Sequence, residues 1–179
     1  SYLSGSDKTR LLTVEPVPAT GGGGSLTRIL AGGNHLWVSH PLGDRLSHID
    51  PADNSVTTVA LPGAPSFLAL DGDGDLWVSC TSEIVRFDPE TESERLRVDL
   101  KAQQAGFPGG LAYNPADDKL WFAGSGNDVV GIVERTTGAL SWRNAGTWPY
   151  DADSHPADPE HLIWVSTLFG GQVQVFRRD

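Results

Sequence analysis

Apolar residues in this chain come in short clusters, each closed by Gly, Asp, Asn or Pro, and no stretch carries the i, i+3, i+4 spacing of an amphipathic helix. Four clusters centre on tryptophan: Leu36–Ser39, Leu76–Ser79, Leu120–Ala123 and Ile163–Ser166. The tryptophans Trp37, Trp77, Trp121 and Trp164 stand 40, 44 and 43 residues apart. Such a period, with several short strands per unit, is that of repeats stacked around an axis, because one small sheet cannot bury both of its faces alone.

Each unit reads as strands rich in β-branched and aromatic residues, separated by turn residues. The first holds Leu26–Ala31, Leu36–Ser39, Arg45–Asp50 and Ser55–Leu61, and the second Ser66–Leu70, Asp75–Ser79, Ile84–Asp88 and Glu94–Leu100. The third holds Gly110–Tyr113, Lys119–Ala123, Val129–Glu134 and Ala139–Asn144. The fourth holds Tyr150–Ser154, His161–Ser166 and Gln172–Arg177, and so lacks an outermost strand. Turns such as Asp71–Asp75 and Thr137-Gly138 join antiparallel neighbours. The pattern predicts an all-β chain, a β-propeller with four blades at 26–64, 65–107, 108–148 and 149–179. Residues 1–9 read as a tail, 10–18 as a strand that completes the last blade and closes the ring, and 19–25 as a glycine-rich loop or linker.

Composition narrows the partners. A formal charge of −10 speaks against nucleic acid and anionic membranes, and no apolar run reaches the ~18 residues of a membrane span. No signal peptide is visible. The expected partner is a small molecule or a peptide, with a monomer if the ring closes and a homodimer if two chains share one larger ring. The lone Cys80 excludes an internal disulfide, and Gly21–Ser25 admits either a natural loop or an engineered linker.

The run Pro65–Thr91, with Asp-Gly-Asp-Leu-Trp-Val-Ser followed by Ile-Val-Arg-Phe-Asp-Pro-Glu-Thr, resembles a blade of the streptogramin lyase (virginiamycin B lyase) and NHL-repeat propellers. It is also similar to gluconolactonase-type propellers, and Leu46–Asp53 repeats its Asp-Pro element. The resemblance implies a propeller over roughly Leu26 to Asp179. Lyases of this kind carry Glu just after the Trp-Phe-Thr element; that position here holds His40, Cys80, Gly124 and Thr167, so their catalytic set is not implied.

Propellers bind ligands at one mouth of the central channel, where loops from successive blades converge. Aligned from its proline, the fourth unit has Asp151 and Asp153 where the second has Phe67 and Ala69 and the third Gly110 and Ala112. Period-2 alternation places Asp151, Asp153 and His155 on one face of a channel strand, which would suit a divalent cation or an acid–base pair. His40 and Cys80 occupy equivalent positions after the repeat tryptophans; His40 with Asp151 and Asp153 would serve a metal-assisted lyase or hydrolase, with Cys80 nearby. Phe107, Trp148, Tyr150 and Phe169 fall in mouth loops, an aromatic rim for an apolar, sugar or peptide ligand. The readings left open are a binding module, an enzyme of lyase or hydrolase type, and an inert scaffold.

Overall fold

The computed structural model describes residues 28–32, 34–101, 107–155 and 157–177. These form antiparallel sheets in chain order, each strand beside its sequence neighbour. Blade 1 is β1 (Ile29–Gly32), β2 (His35–His40), β3 (Arg45–Ile49) and β4 (Val56–Ala60). Blade 2 is β5 (Leu68–Leu70), β6 (Leu76–Ser79), β7 (Glu83–Asp88) and β8 (Ser93–Asp99). Blade 3 is β9 (Pro108–Asn114), β10 (Lys119–Gly124), β11 (Val129–Glu134) and β12 (Leu140–Asn144). Blade 4 has three strands, β13 (Pro149–Ser154), β14 (Ile163–Thr167) and β15 (Val173–Phe176). The chain is therefore an all-β propeller with four blades and almost no helix, the 3-10 turn Pro41–Gly43 being a short exception. The tail, closing strand and glycine-rich loop expected at 1–9, 10–18 and 19–25 lie outside the described residues. Among the described residues no helix is long and apolar enough to cross a membrane.

Alternation along each second strand sends the repeat tryptophan forward to the next blade and its preceding residue backward. Trp37 packs against Leu76 and Val78 of blade 2. Trp77 packs against Leu120 and Phe122 of blade 3, and Trp121 against Ile163 and Val165 of blade 4. A tryptophan withdraws about 150–250 Å² from water, a gross gain of about 4–6 kcal/mol at ~25 cal/mol per Å². The blades are thus held in series by one large side chain per joint.

A buried indole N–H usually finds an acceptor, and blades 2 and 3 supply one while blade 1 does not. In blade 2 the tight turn Asp71–Asp75 is fastened by backbone bonds from Asp71 N–H to Asp75 O and from Gly74 N–H to Asp71 O, Gly74 taking a φ of 86°. The Asp71 carboxylate accepts from the N–H groups of Asp73 (3.0 Å) and Asp75 (3.1 Å) and from Trp77 Nε1 (3.0 Å). Arg86 closes the set, its Nε 2.9 Å from Asp71 Oδ2 and its Nη2 2.9 Å from Asp75 Oδ2. Blade 3 repeats the device more loosely, with Trp121 Nε1 donating to Asp117 Oδ2 at 3.3 Å. In blade 1 the buried Trp37 Nε1 has no hydrogen-bond partner among the described residues, and the ring stacks on His48 with centroids 4.3 Å apart.

Candidate functional site

The inner strands β1, β5, β9 and β13 begin at one end of the channel, beside the loops between second and third strands. The serines of the first two Trp-Val-Ser stretches pin this end. Ser39 Oγ donates to Ser66 O (2.8 Å), and Ser79 Oγ accepts from Phe67 N–H (2.9 Å). Blade 3 has Ala123 at that position, and there Ser125 Oγ donates to Pro149 O (2.8 Å) instead. Small hydroxyls that reach a neighbouring backbone thereby fix where Phe67 and Asp151 start their strands.

A cavity of about 240 Å³ opens at this mouth, lined by Arg28, Phe67, Leu68, Leu111, Asp151 and Asp153 among others. The Arg28 guanidinium lies over the Phe67 ring, 4.4 Å from its centroid, and Tyr150 meets the same ring edge-on at 5.7 Å. Asp151 is half-buried, and its Oδ1 accepts from the N–H of Ala152 at 3.0 Å. Burial pushes the Asp151 carboxyl above its usual range, against the opposing pull of Arg28. Among the described residues Asp151 has no ion-pair partner within 4.0 Å. Gly110 makes room for it, since a Cβ there would sit 1.9 Å from Asp151 Oδ1. The strand register pairs Asp153 with Trp164 as Ala69 pairs with Trp77 and Ala112 with Trp121, so an acidic residue stands where these two sister blades have alanine.

Exposed aromatics ring the mouth. Trp148 takes a φ of 58° with its N–H held by Asp128 Oδ1 at 2.7 Å, and its ring meets Phe169 edge-on at 5.5 Å. Phe107 is exposed on the neighbouring blade. A second cavity of about 410 Å³ opens at the opposite end, between Leu70, Tyr113, Asn114 and His155. Leu68, Leu111 and Asp153 line both, so the two are halves of one channel.

The other candidates lie apart from this cavity's lining. His155 is at the far end of β13, exposed, with Nδ1 accepting from Ala157 N–H. His40 is buried at the end of β2, bonded to Ser47 Oγ at 2.9 Å, and burial and then Arg45 lower its basicity. Cys80 is 1% exposed within the core joining blades 1 and 2, and burial pushes its thiol up to about 12. Alternation explains both: Val38 and His40, like Val78 and Cys80, share the backward face of their strand. Among the described residues no three His, Cys, Asp or Glu side chains are placed to hold one metal ion. Sequence reasoning did not single out Arg28, whose signal was a lone cation at the start of a channel strand in an acidic chain.

No family model matches the chain, and no curated protein matches it. Solved structures do match. The β-propeller domain of Cps50 (Swd1) from Myceliophthora thermophila overlays at a TM-score of 0.67 and 18% identity, over 86% of this chain and 55% of that one. A Bacteroides uniformis protein assigned as a 6-phosphogluconolactonase overlays at 0.68 and 14% identity, over 86% and 50%. A chain of the nidogen/laminin complex overlays at 0.66 and 12% identity, over 80% and 55%. The chain thus spans about half the length of these three structures, and the likeness is one of fold.

Proposed function

We propose that this protein is a propeller binding module whose channel mouth takes a small ligand, or the end of a peptide, that carries a cationic group. The observation that carries the reading is Asp151: a half-buried carboxylate with no close ion-pair partner among the described residues, facing a cavity walled by Phe67, Leu68 and Leu111. A ligand ammonium or guanidinium would supply the missing charge, and Trp148 and Phe169 would cover its apolar part. A metal-assisted lyase or hydrolase built on Asp151, Asp153 and His40 is less well supported, because His40 is engaged with Ser47 and does not line the cavity. The streptogramin-lyase and NHL resemblance supports this module reading through the fold alone.

Calorimetric titration with short lysine- and arginine-containing peptides and with spermidine tests the proposal. Binding should be weakened at least tenfold by Asp151→Asn. It should also fade as pH falls into a range where an ordinary carboxylate is still ionised, because the raised Asp151 carboxyl protonates early. The same shift has a stability consequence. A raised folded-state carboxyl costs stability once pH exceeds it, so Asp151→Asn should stabilise the free protein at pH 7 and the gain should vanish in acid. No binding by any probe, or binding indifferent to Asp151→Asn, would defeat the reading.

A further inference from the structure

The joint between blades 1 and 2 carries a row of histidines and carboxylates that the channel mouth does not use. Blade 2 has Asp75 two residues before its tryptophan and Arg86 opposite that tryptophan, a pair held at 2.9 Å. Blade 1 has His35 and His48 at those two places. A permanent ion pair is thus replaced by two imidazoles, the kind of side chain whose charge ordinarily changes between about pH 5 and 8. His35 Nδ1 lies 2.7 Å from His48 Nε2. The other nitrogen of each imidazole meets a carboxylate from the turn between β7 and β8 of blade 2. His35 Nε2 is 2.9 Å from Glu90 Oε1, and His48 Nδ1 is 3.2 Å from Glu92 Oε1. Thr57 Oγ1, on β4, donates to that same Glu92 oxygen at 2.8 Å. Both imidazoles are mostly withdrawn from water, and His48 lies face to face with Trp37. The other charged groups beside His35 are Asp73, Asp75, Asp88 and Arg95, which line a cavity of about 380 Å³ with it. These three carboxylates are already paired with arginines.

Counting protons along this row fixes its charge. An ionised carboxylate only accepts, so His35 Nε2 and His48 Nδ1 must both carry hydrogen. The central contact needs one more proton, on either nitrogen. Three protons on two imidazoles make one positive charge for the pair. With two protons, one of the three links has no hydrogen in it. With four, two N–H groups point at each other across 2.7 Å. We propose that this pair is a proton-operated clasp between blades 1 and 2, complete only while it holds a single shared charge. Its contribution to stability is lost as pH rises and the shared proton leaves. It is lost again as pH falls and a second charge enters. The indole face under His48 favours the singly charged form over the neutral one, as an aromatic face favours any cation set over it. Both faces of this joint are in place, so the clasp is independent of what adjoins the outer faces of blades 1 and 4.

Urea unfolding of the full chain from about pH 5 to 8, followed by tryptophan fluorescence, tests this. Subtracting the profile of His35→Gln removes what His40, Asp75, Asp151 and the other titrating groups contribute. The remaining difference in midpoint should pass through a maximum and fall by about 0.5 M on each side, the loss of about one hydrogen bond at a typical m-value. Glu90→Gln, at a side chain 78% exposed, gives a sharper readout. An amide can donate to a bare His35 Nε2, so two protons then complete all three links. That variant should keep the acid fall and lose the alkaline one, and Glu92→Gln should do the same from the other end of the row. Long-range proton–nitrogen NMR of the imidazoles supplies a second measurement: at the maximum His35 Nε2 and His48 Nδ1 should both be protonated. A difference profile that slopes one way only, an alkaline fall that survives Glu90→Gln, or a bare outer nitrogen at the maximum overturns the inference. So does a midpoint that a chelator lowers, because a metal ion rather than a proton would then join the two imidazoles.

Discussion

Replacing Asp71 by alanine removes four attachments at once. The Trp77 indole N–H, which is buried, loses its acceptor, two turn amides lose theirs, and Arg86 loses the carboxylate 2.9 Å from its Nε. The Asp71 side chain has no exposed surface, so water cannot step in for any of these groups. Breaking a buried ion pair from one side costs about 3–5 kcal/mol, and orphaned buried donors act in the same direction. Arg86 keeps Asp75, which places the expected loss near the lower end, about 3 kcal/mol. With a urea m-value of about 2 kcal/mol per M, the midpoint should fall by about 1.5 M. Tryptophan fluorescence against urea is the assay, and Asp73→Ala is the control. Asp73 stands two residues further along the same turn and pairs with Arg86 and Arg135, yet its side chain is 63% exposed, so its loss should cost under about 1 kcal/mol. Asp71→Asn, which keeps an acceptor for the indole and loses only the charge, should fall between the two. If Asp71→Ala and Asp73→Ala shift the midpoint equally, the turn is not what secures Trp77, and the account of that joint is wrong.

Two further expectations concern the core. Cys80, buried and with its thiol pushed up to about 12, should resist iodoacetamide at pH 8 in the native protein and react fully in denaturant; rapid native labelling, followed by mass spectrometry, would contradict its placement between blades. Gly131→Ala should lower stability by about 1–3 kcal/mol and Tm by several degrees, because the added methyl would fall 2.1 Å from Phe122 and 2.7 Å from Trp142; calorimetry showing an unchanged Tm would mean that β10 and β12 pack less tightly across β11 than described.

The architecture was legible because its determinants are local and repeated. The tryptophan spacing fixes the blade count, and Gly- and Asp-rich turns fix strand ends to within a residue or two, as in Arg45–Ile49 against an expected Arg45–Asp50. The acidic replacement at Asp151 and Asp153 was legible for the same reason, as a departure from its own sister units. The mouth was read less well. His40 and Cys80 follow the tryptophans by the same interval and looked like loop residues, yet the strand's alternation continues through them and turns both side chains inward. Arg28 enters the site through a cation–π contact across a blade boundary, which no local pattern announces. The path of residues 10–18, on which ring closure was expected to depend, lies outside the described residues.

The uneven seating of the repeat tryptophans has a consequence for how the molecule comes apart. Trp77 is clasped by a charged turn, Trp121 by a single longer bond, Trp37 by a stacked imidazole, and Trp164 stands half in water. In a linear array whose cohesion is a sum of joint energies, melting starts at the weakest terminus and travels inward. Denaturation should therefore run as a zipper opened from the carboxyl-terminal side, with the second sheet the last to let go.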